Sequence, residues 1–225
     1  MNLRPVALAT AGLLGALASA CSGSTPTSDA DRALGAAVRV EAEGCSIRPQ
    51  VGSGSFVAPH RVLTVAHVVA GAIDVDVVLS DGTEKQATVI AIDRRKDLAV
   101  LSVDATTTPL SVGTMHARSQ GSFVTWRTGK PVAAPFSASA FVDITATDID
   151  RAGTDLRKGY QLAADVMPGD SGSVLVSDGA AVAVIFARSA QHPGRAWATD
   201  IAEAAQLIAT PGDDPADVGS CPSSQ

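Results

Sequence analysis

Val166-Met-Pro-Gly-Asp-Ser-Gly-Ser173 stands between two apolar runs, Tyr160 to Ala164 and Val174 to Val176. A proline, two glycines, an acid and a serine in that order describe a tight turn, and such a turn presents Ser171 with backbone N–H groups beside it. A serine hydroxyl is a weak nucleophile until a neighbour takes its proton. The stretch therefore carries chemistry only if the rest of the chain supplies a base and an acid to orient that base.

Working outward from the turn, the chain is dominated by short runs of Val, Ile, Ala, Thr and Phe bounded by turn residues, the pattern of strands. Strands are expected near 36–42, 54–58, 61–65, 75–79, 85–93 and 98–103, and again near 121–127, 134–146, 159–164, 172–177, 180–189 and 196–200. A non-periodic segment, 106–119, separates the sets as a crossover. Hairpin-like turns such as Ser80-Asp81-Gly82 and Ser177-Asp178-Gly179 point to two small antiparallel barrels. The expected fold is thus all-β, with a first barrel over 36–110 and a second over 118–210. One short helix, 201–209, closes the second barrel with Asp200 as its N-cap.

The 225 residues, 46% of them hydrophobic, suffice for a sizeable core. A formal charge of −6 excludes a general nucleic-acid binder, because phosphate contacts require a basic surface. At the N-terminus Arg4, the apolar run 6–17 and Ala18-Ser19-Ala20 read as a signal peptide over residues 1–20. Cys21 follows directly, and the arrangement resembles a bacterial lipobox, although Ala18 stands where Leu is usual. The expectation is a lipidated Cys21 that anchors the protein to a membrane, with plain secretion or a retained segment as alternatives. Residues 21–35 read as a flexible tether and 211–225 as a non-periodic tail. Once Cys21 carries lipid, Cys45 and Cys221 remain, and an exported protein can pair them. Two free thiols are the alternative. No Cys-x-x-Cys or His-x-x-x-His spacing suggests a metal, and no cofactor is expected.

Of the four histidines, His60, His116 and His192 sit in turns or the crossover. His67 instead follows the apolar strand Val62-Leu-Thr-Val-Ala66. Asp97 ends the polar stretch Asp93-Arg-Arg-Lys96 and opens the apolar run Leu98 to Val103, so its carboxylate enters the edge of a core. Singly, each reads as easily as a structural residue. Together, in the order His67, Asp97, Ser171, they resemble the trypsin-like (chymotrypsin-fold) serine peptidases in their compact bacterial form. The matching motifs are Thr64-Val-Ala-His67, Asp97-Leu-Ala-Val-Leu101 and Pro168-Gly-Asp-Ser-Gly-Ser173. Gly52-Ser-Gly-Ser-Phe-Val57 resembles the strand that precedes the histidine in that family.

The resemblance implies a polypeptide substrate, with Ser171 as nucleophile, His67 as base and then acid, and Asp97 as the group that orients His67. It implies an oxyanion hole from the N–H groups of Gly169 and Ser171. Asp165 stands at the offset before the nucleophile where trypsin carries the acid that selects Lys or Arg. Ala187, Ser189 and Ala198 would supply the pocket wall. Two departures motivate a second reading, a catalytically weak or inactive binding module on the same fold. Ser173 replaces the usual glycine, and no Ile-Val-Gly-Gly-like start pairs with Asp170, which is left as a structural hydrogen-bonding residue.

Overall fold

Along Ala37–Glu43 (β1) the side chains of Val38, Val40 and Ala42 are buried while Arg39 and Glu41 face outward and pair at 2.7 Å. That alternation is what a strand with one wet face requires. The computed structural model describes residues 28–222. The expected signal segment, Cys21 and the start of the tether lie outside them. β1 is followed by Gln50–Ala58 (β2), Arg61–Thr64 (β3), Asp74–Leu79 (β4), Glu84–Asp93 (β5) and Leu98–Val103 (β6). They close into an antiparallel barrel in the order β1-β2-β3-β6-β5-β4. β6 is buried almost throughout, because its neighbours β3 and β5 and two short helices cover it.

Ser111–Val112 (β7) lies in the crossover. The second half comprises Gln120–Arg127 (β8), Lys130–Thr147 (β9), Thr154–Ala163 (β10), Val174–Ser177 (β11), Ala180–Arg188 (β12) and Arg195–Asp200 (β13). The pairing runs β11-β8-β9-β10-β13-β12 and returns from β12 to β11, while β7 joins β12 in parallel. Phe123, Phe136, Tyr160, Leu162, Leu175 and Ile185 fill this barrel. Tyr160 Oη lies 2.7 Å from Asp200 Oδ2, so its polar tip is satisfied inside the sheet. Beyond Ala138 the β9–β10 hairpin leaves that core as an arm whose turn reaches the first barrel. There Ile149 N–H donates to Arg94 O, and the Arg94 guanidinium grips Asp150.

The two-barrel, all-β expectation therefore holds. The tether does not extend as far as expected, because Asp29–Ala36 forms a helix (α1). Ser28 and Asp31 make a reciprocal capping box, and Ala33 and Ala36 are buried. Two turns of this composition are marginal alone. Packing on β8, β9 and β11, and an Asp29 carboxylate that accepts the Gly179 N–H at 2.7 Å, supply what composition cannot reveal. A second short helix, Ala66–Val69 (α2), follows β3. The expected C-terminal helix begins as a 3₁₀ turn, Ile201–Ala204, whose Ala202 N–H is capped by Asp200, and continues as Ala205–Ile208 (α3).

The tail lies along the first barrel. Arg61 Nη2 donates to Gly212 O, Arg94 Nη1 to Val218 O and Ala216 N–H to Val89 O. Cys221 is bonded to Cys45 with a Cα–Cα distance of 5.4 Å and a sequence separation of 176 residues. A cross-link over so long a loop restricts the unfolded chain strongly. Replacing both cysteines by alanine is expected to cost about 2–5 kcal/mol, read as a lower urea midpoint. An unchanged midpoint would show that the tail's hydrogen bonds hold it alone.

Candidate active site

His67 occupies the first turn of α2, directly beyond the buried end of β3, which fixes where its ring emerges. Asp97 reaches it from the turn between β5 and β6. In that turn Asp93 Oδ1 accepts the N–H groups of Arg95 and Lys96, and Asp97 takes φ +56°. A left-handed aspartate is uncommon, and such backbone conformations persist where surrounding contacts impose them. Here the contact is bidentate. Asp97 Oδ1 accepts the His67 backbone N–H at 2.8 Å, and Oδ2 accepts the ring Nδ1–H at 2.8 Å. The proton is thus held on Nδ1, and Nε2 is left as the basic nitrogen.

Burial by itself pushes the His67 pKa down. The Asp97 charge and hydrogen bond outweigh that, Arg157 opposes them, and the net displacement is upward from 6.5. The imidazolium is stabilised by the carboxylate that orients it.

Ser171 sits in the turn between β10 and β11, in the wall of the same cleft as His67 and Asp97. Three features shape this turn. Gly169 and Gly172 take φ +94° and +91°, values that side-chain-bearing residues rarely adopt. Asp170, fully buried, accepts from the Met167 N–H at 2.8 Å and from Thr125 Oγ1 at 2.6 Å, with Arg127 Nη1 at 3.4 Å. From the first barrel, Ser53 on β2 ties the turn down. Its N–H donates to Ser171 O at 2.8 Å, its Oγ to Gly169 O at 2.9 Å, and its own carbonyl accepts from Thr64 Oγ1 at 2.7 Å. Neither the Gly169 nor the Ser171 N–H donates to a protein oxygen among the described residues. Two unpaired donors beside a serine form a site for a developing negative charge.

Ser173 does not crowd the turn. Its hydroxyl points into the second barrel and donates to Val124 O at 2.6 Å.

The cleft holds about 660 Å³, room for a few side chains of a peptide. Ala187 lines it. Asp165 is exposed and is not among the lining residues; neither are Ser189, whose Oγ accepts the His192 N–H at 2.9 Å, and Ala198, which is fully buried in the sheet. Sequence reasoning gave no role to Ser53, Arg151 or Arg157, and Arg188, within the expected wall stretch 183–189, lines the cleft with Arg151 and Arg157. Arg157 is 1% exposed, its guanidinium carbon 4.7 Å from the centre of the Phe186 ring.

A family model described as "Trypsin-like peptidase domain" matches residues 52–184. The chain is 31% identical over 160 residues to a protein of Halomonas elongata described as "Probable periplasmic serine endoprotease DegP-like", covering 68% of this chain and 33% of that one. It is 31% identical over 180 residues to serine protease Rv3671c of Mycobacterium tuberculosis, covering 76% and 44%. The chain thus spans between a third and a half of the length of these relatives. Among solved structures, the active form of the Rv3671c protease superposes with a TM-score of 0.77 at 28% identity, covering 85% of this chain and 87% of that one. An inactive form of the same protease gives 0.67 at 27% identity over 79% of this chain and 89% of that one.

Proposed function

The chain belongs to the trypsin-like peptidase family, and from that premise we propose that it is an exported serine endopeptidase working through Ser171, His67 and Asp97. The observation that carries this is the convergence on one cleft of an acid-oriented imidazole, a serine in a glycine-shaped turn and two free N–H donors. In the proposed reaction His67 Nε2 takes the Ser171 hydroxyl proton as Oγ attacks the scissile carbonyl. The carbonyl oxygen gathers charge against the Gly169 and Ser171 N–H groups. Collapse expels the amine, which receives the proton from His67, and leaves an acyl-serine. Water, deprotonated by the same imidazole, hydrolyses it.

Export through residues 1–20 and a lipid on Cys21 complete the proposal. They agree with the word "periplasmic" in the name of one relative and with a Cys45–Cys221 bond, which needs an oxidising compartment. No helix among the described residues is long and apolar enough to cross a membrane. Mass spectrometry of the mature N-terminus reads this directly; an unmodified Cys21 would place the protein in the medium.

A fluorophosphonate probe is expected to label the protein and to leave Ser171→Ala unlabelled. Folded wild type that resists the probe would overturn the assignment. That outcome would favour the reading as a binding module, for which one observation speaks: no hydrogen bond joins Ser171 Oγ to His67 among the described residues.

The acidity of His67 adds a pH prediction. The base must be neutral to act, so kcat/KM is expected to rise with pH, with its half-point above the ordinary 6.5 because the pKa is raised. Arg157 lowers that pKa, so Arg157→Met should move the half-point further up. A half-point below 6.5 would mean that the Asp97 pairing is not present in the working enzyme.

A further inference from the structure

The chain as a whole is acidic, yet three arginines, Arg151, Arg157 and Arg188, line the cleft beside Ser171. Arg151, on the turn of the β9–β10 arm, and Arg188, at the end of β12, are exposed and make no ion pair among the described residues. The arm is fixed across the cleft by the Arg94–Asp150 pair, so Arg151 is delivered to the rim by a braced turn.

Arg157 is more unusual. Its Nη2 donates to Arg95 O at 3.3 Å, while Nε and Nη1 are buried without any hydrogen-bond partner. The acids whose charges act on it are each engaged elsewhere. Asp97 holds His67, Asp155 pairs with Arg95 at 3.1 Å, Asp93 accepts two turn N–H groups, and Glu203 pairs with Lys96. The other carboxylate in the cleft, Asp148, accepts the Ala152 N–H at 2.9 Å. A buried guanidinium with two vacant donors is costly unless something supplies a carboxylate.

We propose that the cleft recognises an acidic side chain of a polypeptide near the scissile bond, drawn in by Arg151 and Arg188 and received by Arg157. This rests on the peptidase reading and names its substrate class. It also reverses the preference for Lys or Arg that Asp165 would give, since Asp165 lies outside the cleft lining. Phe186, half-buried, lies over one face of the guanidinium and leaves its donor edge to the carboxylate. Guanidinium and carboxylate then form the planar two-point pair that Lys would not provide.

The test separates recognition from turnover. Short fluorescein-labelled peptides that differ only in carrying Glu, Gln or Lys at one position are titrated by anisotropy against the uncleaving Ser171→Ala protein. Glu is expected to bind about 10-fold more tightly than Gln, the ratio of one charge-assisted pair. The gap should narrow with salt and in the exposed double variant Arg151→Gln/Arg188→Gln, which does not depend on a buried substitution. Equal binding of Glu and Gln, or tighter binding of Lys, overturns the proposal. Loss of fluorophosphonate labelling in wild type would sink the peptidase reading while leaving the anisotropy result to decide the acidic subsite. Arg157→Met, if folded, should also reduce the Glu-to-Gln ratio. A shifted pH profile with an unchanged ratio would make Arg157 a positioning residue for His67 and remove it from recognition.

Discussion

Asp97→Asn is expected to lower kcat/KM for peptide hydrolysis by about 10⁴-fold with little loss of stability. The two oxygens of Asp97 have separate tasks, one accepting the His67 backbone N–H and the other its ring Nδ1–H. An amide keeps the shape and can still accept one of these bonds. It must then turn its NH₂ toward the other donor, or flip and face Nδ1 as a donor itself. In the second arrangement Nδ1 becomes the acceptor and the proton moves to Nε2, where it blocks the nitrogen that must take the Ser171 proton. The imidazolium also loses the carboxylate that raises its pKa. The measurement is kcat/KM across pH beside a thermal melt. A variant within tenfold of wild type would show that His67 is oriented by something other than Asp97.

Gly172→Ala is expected to cost about 4 kcal/mol or more and to abolish probe labelling. A Cβ there would lie 2.0 Å from Ser53 O and 2.6 Å from Thr64 Oγ1, on a residue at φ +91°. Neither neighbour can yield cheaply. Ser53 O already accepts from Thr64, and the same serine holds Ser171 O and Gly169 O through its N–H and Oγ. Gly172 N–H and Ser173 O are in turn bonded to Ile185, so the turn cannot retreat into the second barrel. The methyl would thus separate the barrels at the contact that positions Ser171. Urea unfolding and fluorophosphonate labelling read both consequences. A variant within about 1 kcal/mol of wild type that still labels would mean that the turn is held less rigidly than this packing implies.

Much of the site was legible in the residues because its chemistry is local. Strand ends and turns are marked by Gly, Pro and Asp, and the order of His67, Asp97 and Ser171 along the chain needs no coordinates. The strands were legible for a related reason: alternating burial writes itself into sequence, as in Val38, Val40 and Ala42 against Arg39 and Glu41. Where a local rule meets a long-range contact, it fails. In Asp155-Leu156-Arg157-Lys158 an alternation rule would turn Leu156 inward, yet Leu156 is 58% exposed and Arg157 is 1% exposed. This part of β10 belongs to the arm beyond the core, where the inward face meets Phe186 and the Arg95 carbonyl and not the barrel's apolar centre. The helix α1 was missed in the same way. Its capping box is short, and its stability comes from strands far along the chain.

By itself, then, the sequence determined the all-β architecture, the order of the three motifs and the turn at 166–173, since each depends on residues within a few positions of one another. Only the tertiary structure decided that Ser53 on the first barrel clamps the Ser171 turn of the second. It also decided that the hydroxyl of Ser173 is absorbed by Val124, and that arginines surround the cleft while Asp165 lies outside it. Those facts depend on how two barrels face each other, and the pattern of one strand carries no record of what a partner more than 100 residues away will place against it.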